Sequence, residues 1–258
     1  MLSRVALLVV LLAATACSGG GEPEDEVVLE RPELGACRML TPEDILETSN
    51  ATPTVECTQR HTAETFAVGD FPASVADGDI DDPALGAYVF DVCERKFRKF
   101  LGGDESLVMR STVTWAWFRP SDEAWDQGAR WWRCDVVGGG EESTSLVALP
   151  RTAKGILLGR PDDRWAVCVD GPTVADSVKI PCSERHTWRA VTTIVLGDES
   201  DPYPGDRLVE VRTRDYCSDS VGAWLNYPVD YDYGFTWFHE AEWEAGNRRS
   251  ICWARTDQ

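Results

Sequence analysis

The chain has 258 residues, of which 43% are hydrophobic and 10% aromatic, so it can build a sizeable core and is not globally disordered. It carries a formal net charge of -19 at pH 7. Binding to nucleic-acid backbones and electrostatic adhesion to anionic lipid surfaces both need basic surface. The charge therefore argues against nucleic acid as a partner and against a membrane held by charge alone.

The first 16 residues predict the signal segment of an exported protein. Arg4 supplies a positive charge, and an uncharged apolar run follows over residues 5–14. This run is too short to span a bilayer, which takes roughly 20 apolar residues. Small residues at 14–16 then precede Cys17, a pattern that resembles the lipobox of bacterial lipoproteins. We expect lipid on Cys17; an ordinary cleaved signal peptide is the alternative.

Residues 17–33 predict a flexible acidic tether. Ser and Gly fill positions 18–21, and a stretch rich in Glu and Asp follows without apolar periodicity. Lipid on Cys17 and this tether would hold the rest of the chain at the extracytoplasmic face of the cell membrane. The membrane is therefore an expected partner, through the lipid.

The remaining eight cysteines indicate an internal repeat. They form two sets of four in the same order along the chain: Cys37, Cys57, Cys93 and Cys134, then Cys168, Cys182, Cys217 and Cys252. The Cys-x3-His motif at 57–61 returns at 182–186, and the Trp-x2-Gly-x-Arg motif at 125–130 returns at 243–248. Chance similarity would not keep this order at so many points, so we predict two tandem copies of one small domain.

The predicted copies cover residues 34–140 and 164–258, with a linker over 141–163. Each copy is predicted to be α+β, with one main helix and a short antiparallel sheet. In the first copy Asp82-Pro83 begins the helix and Gly102-Gly103 ends it. Its apolar stripe is Leu85, Val89, Val92, Cys93, Phe97 and Phe100. The second stripe is Val209, Tyr216, Cys217, Val221, Trp224 and Leu225, with Thr213 where the first has Val89.

The eight cysteines are predicted to form disulfides, because an exported protein meets an oxidising compartment. Four cysteines in each copy allow three pairings. We favour Cys37–Cys57 with Cys93–Cys134, and Cys168–Cys182 with Cys217–Cys252. Zinc is the competing interpretation, but zinc ligands usually come in close pairs such as C-x2-C, and the sequence contains none. We expect no metal and no cofactor.

His61 and His186 occupy equivalent positions in the two copies. The structural interpretation is a His that bonds a carbonyl or a carboxylate beside a disulfide, and the functional one is a general base or a ligand contact. No nucleophile elbow, dinucleotide-binding turn or phosphate-binding loop is present in the sequence. We therefore predict that the protein is not an enzyme.

Four further residues are candidates for binding. Trp131 and Trp132 are adjacent on a predicted strand and must point to opposite faces, so we expect one of them to be exposed or covered by a partner. Arg130 and Arg248 end the repeated Trp-Gly-Arg motif, where a guanidinium can bridge to a carboxylate or stack on a ring. With the two His residues, they complete the set of candidate binding residues.

The order of these motifs resembles the septum formation domain of high-GC Gram-positive bacteria. The resemblance is carried in the first copy by Gly35, Cys37, Val55, Cys57, His61, Cys93, Trp117 to Pro120, Trp125, Gly128, Arg130 and Cys134. The second copy keeps His186, Cys217, Trp243, Gly246, Arg248 and Cys252. It departs at Glu240, where the pattern has Pro, and at Ala166, where it has Gly. The resemblance implies a domain held outside the cell and a link to division, and it implies no catalytic residues.

The leading hypothesis is a non-catalytic lipoprotein of the cell envelope that binds a protein or a wall component near the membrane. One alternative is a hydrolase that acts on wall glycan or peptide. In that case His61 or His186 should face a carboxylate in a deep pocket. Another alternative is a structural spacer without a ligand.

Overall fold

The computed structural model describes residues 27–139, 143–175, 177–198 and 200–256. The predicted signal segment, Cys17 and most of the predicted tether lie outside these residues. Within them, no helix combines the length and the apolar character needed to cross a bilayer. The chain forms a mixed helix and sheet structure with two antiparallel five-stranded sheets.

The first sheet is built from residues before position 138. Its strands are β1 (Cys37–Arg38), β2 (Thr54–Val55), β3 (Ala63–Asp70), β4 (Thr114–Phe118) and β5 (Trp131–Val137), in the spatial order β2-β1-β3-β5-β4. A short 3-10 helix spans Asp44–Leu46, and the α-helices are α1 (Ala73–Ala76), α2 (Pro83–Leu101), α3 (Glu105–Met109) and α4 (Asp122–Asp126).

The second sheet repeats this arrangement. Its strands are β6 (Val167–Val169), β7 (Lys179–Pro181), β8 (Trp188–Val195), β9 (Tyr233–Thr236) and β10 (Arg249–Arg255), in the order β7-β6-β8-β10-β9. Its helices are α5 (Asp206–Trp224) and α6 (Glu240–Glu244). Even the irregularities agree: Phe66 in β3 and Val191 in β8 are extra residues that interrupt the pairing with β5 and β10 at equivalent points.

Helix α2 begins and ends where its sequence signals predict. The Asp82 carboxylate accepts a hydrogen bond from Ala84 N at 2.9 Å, and Pro83 takes the first helical position, where its missing N–H costs nothing. Gly102 follows the last residue with φ of 76°, a left-handed conformation that glycine adopts without strain. The buried face of α2 consists of Leu85, Val89, Cys93, Phe97 and Leu101.

Helix α5 packs on the second sheet through a weaker stripe. Its buried residues are Val209, Thr213, Cys217, Val221 and Gly222. The prediction that Tyr216 and Trp224 belong to this face is wrong, because their side chains are 40% and 49% exposed. Thr213 is fully buried at the position equivalent to Val89, and its hydroxyl has no hydrogen-bond partner among the described residues.

This buried hydroxyl leads to a stability prediction. Thr213→Val keeps the shape of the side chain and removes an unpaired polar group, so it should raise the free energy of unfolding by about 1 kcal/mol. Urea denaturation with the disulfides intact measures the change. The matched control is Val89→Thr, which inserts a hydroxyl at the equivalent position of α2 and should destabilise by a similar amount. A destabilised Thr213→Val variant would show that the hydroxyl is satisfied.

All eight cysteines of the two predicted sets are paired in the structure. The four disulfides are Cys37–Cys57, Cys93–Cys134, Cys168–Cys182 and Cys217–Cys252, which is the connectivity favoured above. In each half one disulfide joins the main helix to a central strand, and the other closes a short loop at the sheet edge formed by β1 and β2 or by β6 and β7.

Residues 143–163, which we call the connecting segment, belong to the predicted linker and pack on the first half. Leu149, Ala153 and Leu157 are buried in the core beneath α2. Backbone N–H groups of Gly155 and Leu157 donate to the carbonyls at 100 and 101, at 2.8 and 3.0 Å. The segment thereby satisfies carbonyl groups that the end of a helix leaves without intrahelical partners.

A cluster of buried charges distinguishes the first half. Arg38, Arg133 and Asp135, which we call the buried ion cluster, are each less than 5% exposed. Arg133 Nε donates to the Asp135 carboxylate at 3.1 Å, and Thr65 links that carboxylate to Arg38 through bonds of 2.6 and 2.8 Å. Burial, only partly offset by Asp135, lowers the pKa of Arg133 to about 10 and also lowers the pKa of Arg38. One buried carboxylate is thus the counter-charge for two buried guanidinium groups.

The second half has apolar residues at the same places. By strand register, Val169 stands for Arg38, Ala190 for Thr65, Ile251 for Arg133 and Trp253 for Asp135. These four residues form an apolar cluster with Val167, Val174 and Trp188. Equivalent positions of the two sheets are therefore filled by a buried ion cluster in the first half and by apolar packing in the second.

Candidate functional site

The two halves are joined chiefly by α3, which lies against β8. Ser106 Oγ accepts a hydrogen bond from the Thr193 hydroxyl at 2.8 Å, and Glu105 pairs with Arg249 at 2.9 Å. Arg110, directly after α3, donates through Nη1 to the carbonyl of Val191 at 3.0 Å. Side chains from the first half are thereby fixed on the surface of the second sheet.

Backbone contacts reinforce this junction. Thr112 N donates to the carbonyl of Trp165 at 3.0 Å, and Val167 N donates to the carbonyl of Arg110 at the same distance. An isolated antiparallel bridge joins Ser111 and Ala166 between them. The chain before β4 and the chain entering β6 thus run side by side.

A cleft of about 640 Å³ lies at this junction, and we call it the inter-sheet cleft. Its apolar wall includes Leu107 and Leu157 from the first half and Trp165 from the start of the second. Trp224, at the end of α5, lies at its edge and is 49% exposed. The cleft therefore combines a buried apolar wall with an open aromatic edge, as binding sites for small molecules commonly do.

The charged residues of the cleft are mostly basic, although the chain as a whole is strongly acidic. Among the described residues, Arg110, Arg160 and Arg189 line it together with one acid, Asp163. Arg189 donates to the Asp163 carboxylate at 2.6 Å, and this hydrogen bond, supported by the nearby charges of Arg189 and Arg160, lowers the pKa of Asp163. Burial is the main cause of a lowered pKa at Arg110; the negative charge of Asp104 partly offsets it, and the positive charge of Arg189 adds to it. The guanidinium groups are thus close enough to repel one another.

His186 lines the same cleft and has an unpaired ring nitrogen. The ring is 2% exposed, and its Nδ1 lies 2.8 Å from the carbonyl of Glu184, so we assign the proton to Nδ1. Its Nε2 is buried and has no hydrogen-bond partner among the described residues. The hydroxyl of Thr256, which also lines the cleft, is likewise buried without such a partner. Buried polar atoms usually have hydrogen-bond partners, so two buried atoms without one in the same cleft are an exception to that rule.

His61 has the same local geometry in a different setting. Its Nδ1 lies 2.9 Å from the carbonyl of Gln59, and its Nε2 is buried without a partner in the described part of the chain. The connecting segment covers this surface, because Leu149 N donates to the carbonyl of His61 at 2.9 Å. Ala153 N and the Thr152 hydroxyl then bind the Glu64 carboxylate at 2.6 and 2.8 Å.

The expectation that Trp131 or Trp132 is exposed is wrong, because both are only 3% exposed. Trp132 packs in the core beneath α2, with its ring edge against Tyr88. Trp131 points to the other face, where Val27 and Val28 cover it and the Val28 carbonyl accepts from its indole N–H at 3.2 Å. The first sheet is thus covered on both faces by its own chain.

Arg130 and Arg248 lie over the rings of Trp125 and Trp243, at 3.9 and 3.7 Å from the ring centroids. Each also donates to the carbonyl of the Trp on which it stacks. These contacts hold the turn between a short helix and the last strand of each half. Neither Arg residue lines the inter-sheet cleft.

Cys168, Cys182 and His186 have potential ligand atoms within 4.8 Å of one another. The two sulfurs, however, are bonded to each other. Metal binding needs the thiolate form of cysteine, which a disulfide does not provide. The grouping therefore reflects a His packed beside a disulfide.

Of the candidate binding residues, only His186 lies in the inter-sheet cleft. The residues that sequence reasoning missed are Arg110, Arg160 and Arg189. A signal for Arg189 exists in the repeat, since at the offset of the Cys-His motifs it replaces Glu64 and reverses the charge. Arg110 and Arg160 have no such signal, because they reach the cleft only through the docking of the two halves.

A family model described as septum formation matches residues 35–252, a single span that includes both sheets. No curated protein and no solved structure matches the chain.

Proposed function

The chain belongs to the septum formation family, and on that premise we propose that it is a non-catalytic, lipid-anchored binding module of the cell envelope that serves division. The anchor is Cys17, and the tether after it places the folded part at the extracytoplasmic face of the membrane. The two halves are tandem copies of one ancestral domain, in agreement with their equal strand order and disulfide pattern.

The observation that carries the proposal is the inter-sheet cleft. It has an apolar wall, an exposed Trp at its edge and two buried polar atoms without a hydrogen-bond partner among the described residues. Aromatic residues at exposed edges give much contact area for little loss of conformational freedom. These features favour a bound ligand over a spacer without one.

The geometry around the His residues favours binding over hydrolysis. In hydrolases with a Ser-His-Asp triad, the general base is held by a carboxylate on its second nitrogen. In His61 and His186 that nitrogen faces a backbone carbonyl instead. His239 lies 3.5 Å from Asp206, but both side chains are 60% exposed at the surface. Such an arrangement leaves both side chains open to water.

The test of this function is retention of envelope components by the full chain, purified in nonionic detergent and immobilised. Trp224→Ala removes the aromatic edge of the cleft and should weaken retention by about 1–2 kcal/mol in binding free energy. Tyr216→Ala is the matched control, because it is an equally exposed aromatic residue of α5 outside the cleft. Equal retention by both variants would contradict binding through the cleft, and no retained component would support a spacer.

Two further readouts address the anchor and the hydrolase. Radioactive palmitate should label the chain in cells, and Cys17→Ala should abolish the label. Incubation of the retained wall component with the protein should release no soluble fragments. Fragments that disappear in His186→Asn would instead establish the hydrolase.

A further inference from the structure

The charged side chains that line the inter-sheet cleft are mainly guanidinium groups. From this we infer that the cleft binds a phosphomonoester group between Arg110, Arg160 and Arg189. This inference rests on the proposed binding function and names its ligand class. It does not depend on the anchor or on the link to division.

The charge balance of the cleft fits this ligand. Three Arg residues and one Asp give the described part of the lining a net charge of +2 before His186 is counted. A phosphomonoester carries about -1.5 to -2 at neutral pH and offers three strong acceptor oxygens. The planar fork of a guanidinium matches such oxygens well. In a chain with a net charge of -19, a basic cleft of this kind is a local exception that recognition of an anion explains.

The guanidinium donors are held in place and still have capacity. Arg110 uses Nε and Nη1 on the carbonyls of Ser106 and Val191, which orients the group and leaves Nη2 for a ligand. Arg189 uses Nη2 on Asp163. Arg160 is exposed on the connecting segment and can close over a bound group. The site therefore has two oriented cations and one adaptable cation.

The buried unpaired atoms also suit a phosphate. With its proton on Nδ1, the neutral His186 ring offers Nε2 as an acceptor to the P–OH of a monoanion. The protonated ring would instead donate to a phosphate oxygen. The Thr256 hydroxyl can donate in either case. A bound phosphate would thus give partners to both atoms that the described residues leave without one.

The first half indicates the chemistry that the cleft requires. There the equivalent surface is covered by the connecting segment, whose N–H and hydroxyl groups donate to the Glu64 carboxylate. In the second half Arg189 takes the place of Glu64, so an acceptor of hydrogen bonds is replaced by a donor. The group that covers this surface therefore changes from donors to acceptors. Asp163 supplies one acceptor to Arg189, and a phosphate would add acceptors with matching charge.

The apolar wall limits what else the ligand can carry. Leu107 and Trp165 line the cleft beside the Arg residues. They can pack against the carbon skeleton of a phosphorylated alcohol, which inorganic phosphate lacks. We therefore expect glycerol 3-phosphate to bind more tightly than inorganic phosphate.

Isothermal titration of the full chain in nonionic detergent, with inorganic phosphate and with glycerol 3-phosphate, tests the inference. Arg189→Gln should weaken binding about tenfold or more, as expected for loss of a hydrogen bond to a charged group. Arg160→Gln should weaken it about three- to fivefold, as for an exposed ion pair. The control is Arg151→Gln, an exposed residue of the same segment that does not line the cleft and should bind as the wild type does.

The duplicated His provides a second, internally controlled comparison. In His186→Asn the new amide can keep the bond to the carbonyl at 184 and offers nothing at the position of Nε2. His61→Asn makes the same change where the connecting segment covers the surface, so it should cost similar stability and leave phosphate affinity unchanged. We expect only His186→Asn to weaken binding. Equal affinity in the two variants would contradict a direct contact between His186 and the phosphate.

A short-chain phosphatidic acid separates a lipid source of the monoester from a soluble one. Dihexanoyl phosphatidylcholine, which has the same chains but no monoester, controls for partition into the detergent. Preference for the phosphatidic acid over glycerol 3-phosphate would assign the site to a lipid headgroup, and equal affinity would assign it to a soluble phosphate. No binding of any monoester at millimolar concentration would overturn the inference. Retention of envelope components would still stand in that case.

Discussion

Asp135→Asn should lower the free energy of unfolding by about 3–5 kcal/mol, because it leaves two buried guanidinium groups without their counter-charge. Asp135 is the one acid of the buried ion cluster, and it is completely buried. An Asn side chain keeps the shape but cannot neutralise Arg38 and Arg133. Urea denaturation followed by Trp fluorescence, with the disulfides intact, measures the loss.

The control for this prediction is Asp91→Asn on α2. Asp91 also pairs with an Arg, but both partners of that pair are more than 60% exposed. Exposed ion pairs contribute little, so stability should change by less than about 1 kcal/mol. If Asp135→Asn were no more harmful than Asp91→Asn, water would have to reach the cluster, and its buried character would be refuted.

Removal of the Cys93–Cys134 disulfide by a double change to Ala should cost on the order of 4 kcal/mol, from the entropy of the unfolded chain alone. The link closes 41 residues and joins α2 to β5 inside the core, where both sulfurs are fully buried. Thermal or urea unfolding of the double variant against the oxidised wild type gives the difference. The reduced packing of two Ala residues adds to the loss.

The same double change at Cys168 and Cys182 is the matched comparison. That disulfide closes only 14 residues, so its entropic contribution should be smaller by about 1 kcal/mol. The reverse order of the two losses would show that local strain or residual structure in the unfolded chain outweighs loop length.

Local signals in the sequence predicted local structure well. Asp82, Pro83 and Gly102 predict both ends of α2, and the structure has the helix at Pro83–Leu101. The repeated cysteine order likewise predicts that all eight cysteines are paired, and the connectivity we favoured among the three possible in each copy is the one in the structure. These features depend on the few residues around each signal or on covalent links, so no knowledge of distant packing was needed.

Long-range packing explains what the sequence could not predict. Both Trp131 and Trp132 are buried, because a segment more than 100 residues earlier covers the outer face of the sheet. The alternation of side chains along a strand shows which residues point to opposite faces of the sheet. It does not show whether a second layer of the protein covers each face. The cleft is harder still, because Arg110 is placed by a carbonyl 81 residues away in the other half.

The difference between the buried ion cluster and its apolar counterpart has a consequence for assembly. Two halves with the same topology risk exchanging strands while they fold, since each offers the other a matching sheet. If β10 replaced β5 in the first sheet, Ile251 and Trp253 would face Arg38. The buried charge of Arg38 would then lack its counter-charge. The converse exchange would bury Arg133 and Asp135 among Val and Ala side chains. The mismatch of charge thus destabilises the exchanged pairing and directs each strand to its own sheet.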